Sequence, residues 1–301
     1  EALVSGPISF IGLSGTDNSD LYQTIVLAGH ELNDITDIHM DDVVITDSQI
    51  NGGSDAGGNV TAGTFGPKNS NTICVINKHL GEASQTADVL LTGPFANYTS
   101  AHRGDGIAYL AMKWVLNEDS AETWDKFAPS NVKALVKGKP VYDPRLDTGA
   151  PNYNPLNQLF ITYNATSGSY VGQGQNPALV LADYLISDLG MGISPSKIDW
   201  SSFITAANGC DVSVNVPNNG TEKRFTCNGV LFTTDSHQKN INKILSSMNG
   251  NLVYSNGKYI VHAGIYEDET PENPFGTLNE NDLIGAISVT TSLERSASAV
   301  Y

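Results

Sequence analysis

The chain has 301 residues, 40% of them hydrophobic and only 16% charged, with a formal net charge of −16. That length supports one large domain or two to three ordinary ones, with a core that needs no disulfide staples. The sign of the charge disfavours DNA and acidic membranes as bound partners, and no run of 18 apolar residues is present to span a bilayer.

A charged share below the usual ~25% leaves Ser, Thr, Asn and Gly to cover much of the surface. Such a surface suits β-structure, long polar loops and protein contacts. The chain begins at Glu1 without a basic or apolar leader, so no signal peptide is in view, and the absent Met suggests a fragment or processed product.

In chain order, the β-branched and aromatic run 21–28 predicts a strand that ends at Gly29. Residues 37–40 and 43–45 predict two short strands around an Asp41-Asp42 turn. Paired glycines at 52–53 and 57–58 predict a flexible loop over 51–71. Residues 87–91 and 132–136 predict further strands, with a turn at Gly138-Lys139-Pro140. Ile107, Leu110, Ala111, Trp114 and Val115 fall on one face at helical spacing. They predict a helix in this β-rich half, with Asp105 at its start.

The texture changes after residues 146–175, which are rich in Gly, Pro, Asn and Ser. Asn176 is a good N-cap and Pro177 a good first helical residue. Ala178, Leu181, Ala182 and Leu185 give that helix its buried face, and Gly190 is its expected stop. A second helix follows Asp199, with Trp200, Phe203, Ile204 and Ala207 inward and Gly209 as the stop. A third begins near Asp235, with Ile241, Ile244, Leu245 and Met248 inward and Gly250 after it. Asn256-Gly257 between two apolar runs predicts a type I′ hairpin.

The expected organisation is a β-rich domain over 1–148, a linker or crossing at 149–172, and an α+β domain over 173–301. Whether the two domains interleave along the chain stays open.

Signatures of chemistry are scarce. The chain lacks a dinucleotide-binding glycine motif, a phosphate-cradling loop and a nucleophile-elbow motif. His30-Glu31 starts like a zinc-protease helix, but Asp34 stands where the second histidine belongs. His102, Arg103 and Asp105 fit a loop at the start of the expected helix better than a polar site. Asp17, Asn18 and Asp20, and separately Asp37, Asp41 and Asp42, lack calcium-loop spacing and fit solvated turns. Cys74, Cys210 and Cys227 are an odd set without metal spacing. Cys210 and Cys227 are expected as reduced, buried thiols, with a disulfide as the alternative. No catalytic, cofactor-binding or metal residue is assigned. A glycan hydrolase with a carboxylate pair among the 32 acidic residues stays open, as does a carbohydrate-binding module using exposed Trp124.

Residues 176–266 carry a distinctive series. It runs Asn176-Pro177-Ala178-Leu179, Gly190-Met191-Gly192-Ile193, Asp199 to Cys210, Phe225-Thr226-Cys227-Asn228-Gly229, Ile241 to Met248, and Gly250 to Tyr259. This series resembles the lambda-type tail tip attachment, or host-specificity protein J, family: the central tail hub of long-tailed bacteriophages. Residues 105–110 with 141–145, residues 28–35, and the terminal stretches 278–284 and 292–301 resemble it further. The likeness covers nearly the whole chain and is specific from 104 onward, whereas loop 51–71 matches nothing in the pattern.

The resemblance implies an α+β protein with β-rich, barrel-like tail-tube domains and a small helical and hairpin region. It implies a virion structural protein, not an enzyme, assembled in the host cytoplasm into the tail tip or baseplate hub. Its implied partners are two further copies, forming a homotrimer, and the distal tail protein, the tape-measure protein and other tail-tip proteins. DNA would pass through the lumen at genome ejection without specific binding, and downstream parts would reach the host receptor. Neither a cofactor nor stable membrane insertion is implied. Three copies would carry three times −16 around one axis, which would repel DNA from the wall.

Overall fold

The computed structural model describes residues 1–51, 58–120, 123, 131–147, 162–164, 169–171, 175–217 and 220–265. The chain divides into two compact units, Glu1–Gly264 and Ile265–Tyr301. Only Ile265 of the second is among the described residues. Trp124, most of 149–172 and the terminal stretches that carry part of the family likeness lie outside them.

The described fold is α+β with several antiparallel sheets and no closed barrel. Its first half is built from β1 (Ala2–Val4), β2 (Ile8–Ser14), β3 (Asp20–Ala28), β4 (Asp34–Met40), β5 (Val43–Ile45), β6 (Ile50–Asn51), β7 (Gly58–Val60), β8 (Cys74–His79), β9 (Ala108–Val115) and β10 (Val132–Lys137). One sheet has the order β1-β10-β4-β5; the other has the order β2-β3-β9-β8-β7-β6. Their inner faces share one core. Val4, Ile35, Ile38, Met40 and Ala134 of the first sheet pack with Leu21, Ile25, Ile76, Leu110, Met112 and Trp114 of the second. Alternate residues of each strand point inward, so burial of one face fixes the register.

The segment expected as a helix is β9. Ala108–Val115 is the third strand of the six-stranded sheet, paired with β3 on one side and β8 on the other. Both its faces are covered: Leu110, Met112 and Trp114 face the shared core, and Tyr109 and Ala111 join a second cluster with Tyr22 and Leu91. A strand buried on both faces is apolar throughout and loses its period of two, which lets helical spacing appear by accident. Asp105 accordingly starts no helix. The stretch 87–91, expected as a strand, instead holds the single helical turn α1 (Val89–Thr92), nucleated by Asp88, whose carboxylate accepts from the Leu90 amide at 2.7 Å. Loop 51–71 contains β7 and a small bridge between Lys68 and Asn71.

Two short ladders, β11 (Thr162–Asn164) with β12 (Ser169–Val171) and β13 (Ser213–Val216) with β14 (Gly220–Lys223), are two-stranded. The helices are α2 (Pro177–Ile186), α3 (Trp200–Cys210) and α4 (His237–Ser246). They pack with the hairpin β15 (Asn251–Ser255) and β16 (Lys258–His262) around a separate core of Leu179, Leu181, Leu185, Phe203, Ile244 and Met248. Val141 and Tyr142 already belong to this core. Asn176 caps α2 as expected and also donates to the carbonyl of Ala207 at 2.9 Å, pinning α2 to α3.

The helix stops differ from expectation. α2 ends at Ile186, and the chain doubles back so that the amides of Met191 and Ile193 reach the carbonyls of Tyr184 and Leu185. Gly190 permits that return, because a Cβ there would stand 1.9 Å from the Tyr184 oxygen. Gly209 lies inside α3, whose inward face is completed by Ala206 and Cys210, while Ile204 is only half-buried. After α4 it is Asn249, at φ 46°, that takes the left-handed position before Gly250. Asn256 and Gly257 have φ 52° and 76°, the type I′ signature.

Candidate functional site

The six-stranded sheet overhangs its four-stranded partner at β2. Leu13 sits opposite Leu21 and Ile11 opposite Gln23, so both point toward the core-facing side of the sheet. Ile8 joins them across a bulge, opposite Ile25. Yet Ile8, Ile11 and Leu13 are 53%, 61% and 52% exposed. The strand is also an edge, seven residues long and without a single charge or proline. Edge strands are ordinarily blunted by charge, proline or shortness, because an open ladder and an apolar face invite pairing. On its other face β2 is anchored: Phe10 packs edge-on against Phe95 and Tyr98, with centroids 5.1 and 5.5 Å apart.

A cleft of about 940 Å³ lies between the sheet core and the helical core. Its apolar walls include Val4, Leu27 and Val136 on the strand side and Val180, Leu231 and Ile244 on the helix side. Segment 226–233 also lines it, tied down by the Cys227 amide to the Gln175 carbonyl at 2.7 Å and by Asn240 Nδ2 to the Phe232 carbonyl at 2.9 Å. The lysines of its wall are engaged: Lys137 with Asp34, Lys139 with Asp183, and Lys243 with Asp235.

The titratable groups weighed from the sequence do not converge. His30 lies just beyond β3, and its Nδ1 is 2.8 Å from the Glu31 carbonyl oxygen. Arg103 pairs with Asp105 in the loop that leads into β9. Asp17 and Asn18 sit in a left-handed turn, Asp20 pairs with Lys113, and Asp41 accepts from the Asn131 amide. Among the described residues no three His, Cys, Asp or Glu side chains gather as a metal site would require. His79 and Asp88 do meet, at 2.6 Å, but Asp88 also accepts from Asn77 and from the α1 amide, so the cluster fastens α1 to β8.

The three cysteines are free thiols. Burial pushes Cys210 up to about 11 and raises Cys74 and Cys227 as well, which leaves little thiolate at neutral pH.

Neither the overhang nor the cleft was named from the sequence. The run from Ile8 to Ser14, between Pro7 and Gly15, carried a legible strand signal. The cleft is assembled from segments far apart in the chain, which local pattern does not reveal. In comparison with known proteins, the chain matches no family model and no curated protein sequence.

Proposed function

We propose that this chain is a structural hub of a bacteriophage tail tip, a homotrimer that closes the distal tail tube and walls the channel for the genome. The sequence resemblance from 104 onward motivates the reading. The observation that carries it is the overhang of β2, an uncharged apolar strand whose core-facing side has no cover within its own sheet pair. In this reading a neighbouring subunit covers Ile8, Ile11 and Leu13 and completes a barrel-like ring that one chain leaves open. Burying three such half-exposed side chains contributes about 1 kcal/mol each, repeated at every contact around the ring. The net charge of −16 gives DNA few footholds on a wall made of this chain.

The proposed role is non-catalytic. Its partners are the distal tail protein, the tape-measure protein and other tail-tip proteins, with receptor contact made through further parts of the tip. Electron microscopy of intact tails bearing a gold-labelled tag on this chain tests the placement. Label at the distal end of the tube is expected; label along the tube or on the capsid contradicts the proposal.

A further inference from the structure

We propose that Asn228 is a self-modification site, its side-chain amide converted to aspartate and isoaspartate by the backbone nitrogen of Gly229. This inference is independent of the hub reading. The reaction uses only water and hydroxide. Gly229 N gives up its proton to hydroxide and attacks Asn228 Cγ. The Cγ–Nδ2 bond breaks, and Nδ2 leaves as ammonia with a proton taken from water. A second water opens the resulting five-membered imide at either carbonyl. One opening restores the ordinary backbone as aspartate; the other routes the chain through the side chain as isoaspartate. Attack needs a nitrogen free of hydrogen bonds, a following residue without a Cβ, and a backbone free to bring that nitrogen to Cγ.

Among the described residues, Asn-Gly pairs stand at 208, 228, 249 and 256, and only the pair at 228 meets all of these requirements. Gly209 lies inside α3, and Asn208 Oδ1 accepts from Arg145. The Gly250 amide donates to the Leu245 carbonyl at 2.9 Å. Asn249 and Asn256 hold φ of 46° and 52°, and Asn256 is clamped between the paired residues Ser255 and Lys258. In a type I′ turn the next nitrogen points away from Cβ, so the imide ring closes only if the turn unwinds. Asn228 and Gly229, by contrast, are both exposed in a stretch without helix or strand. The Gly229 amide has no acceptor among the described residues. A Cβ at Gly229 would meet nothing within 4 Å, so the peptide has room to turn. Asn228 Oδ1 accepts from the Glu1 amino group at 2.9 Å, which polarises Cγ toward attack. Both residues line the cleft between the two cores. Conversion therefore adds a negative charge to a wall whose lysines already hold carboxylates.

The test is incubation of the whole chain at mildly alkaline pH, folded and in urea, followed by peptide mapping with mass spectrometry. An isoaspartyl methyltransferase with labelled methyl donor reports the isoaspartate. In the folded chain Asn228 should convert about tenfold faster than Asn208, Asn249 or Asn256, and in urea the rates should converge. Gly229 has no positive φ and open space around it, so Gly229→Ala should keep the circular dichroism unchanged while slowing Asn228 by about tenfold. Conversion of Asn228 no faster than the other pairs in the folded chain overturns the site. So does the same order of rates in urea, or a full rate in Gly229→Ala.

Discussion

Lys78 offers a sharp test of how the two sheets are held together. It projects from β8 into the shared core with its side chain fully buried, and its Nζ donates to the carbonyls of Ile35 (2.7 Å) and Thr36 (3.3 Å) and to the carboxylate of Asp47. The Asp47 side chain keeps 33% exposure. Desolvation raises the Asp47 carboxyl above its ordinary value, and Lys78 offsets this in part.

The cost of breaking such a pair depends on which group is left behind. Asp47→Ala strands a fully buried ammonium with only two backbone carbonyl partners, an effect of about 3–5 kcal/mol. Lys78→Met strands a carboxylate that reaches solvent and can take up a proton, together with two backbone carbonyls. That places it lower, at about 1–3 kcal/mol. Urea unfolding of both variants, with unchanged m-values, measures the difference. The expected order is Asp47→Ala below Lys78→Met in stability. The reverse order, or equality, would show that residual burial does not govern this pair.

Two further outcomes follow from the helical half. Asn176→Ala removes the α2 cap and the tie to Ala207 together and should cost about 2–3 kcal/mol, read as a fall in the urea midpoint. Hydrogen bonds from Lys239 and Lys243 hold the half-buried Asp235 carboxyl below its ordinary value. A lowered folded pKa means the contribution is present above the ordinary carboxylate value and is lost as pH falls through the lowered one. NMR titration of the Asp235 side chain should show that lowered midpoint, returning to the ordinary range in a Lys239→Ala, Lys243→Ala double variant.

The sequence made the helical half legible because its signals are local. Asn176-Pro177, Asp199 and the Asn256-Gly257 pair each act within a few residues through caps and positive φ. The strands 21–28, 37–40 and 132–136 were readable for the same reason: each keeps β-branched residues or an alternating face. β9 was misread because its neighbours bury it on both sides, a tertiary fact that erases the local period. Helix stops failed where the chain folds back on its own carbonyls, as at Gly190, instead of ending on a glycine cap. The exposure of β2 depends on how far one sheet extends past the other, and no pattern within Ile8–Ser14 encodes that.

The assembly claim is tested most directly by the solution mass of the purified chain and of its Ile11→Lys and Leu13→Lys variants, measured by light scattering. Three times 32.0 kDa is expected for the native chain and 32.0 kDa for each variant, with far-UV circular dichroism retained. A native chain that stays monomeric at high concentration, or a trimer that survives both lysines, would contradict it.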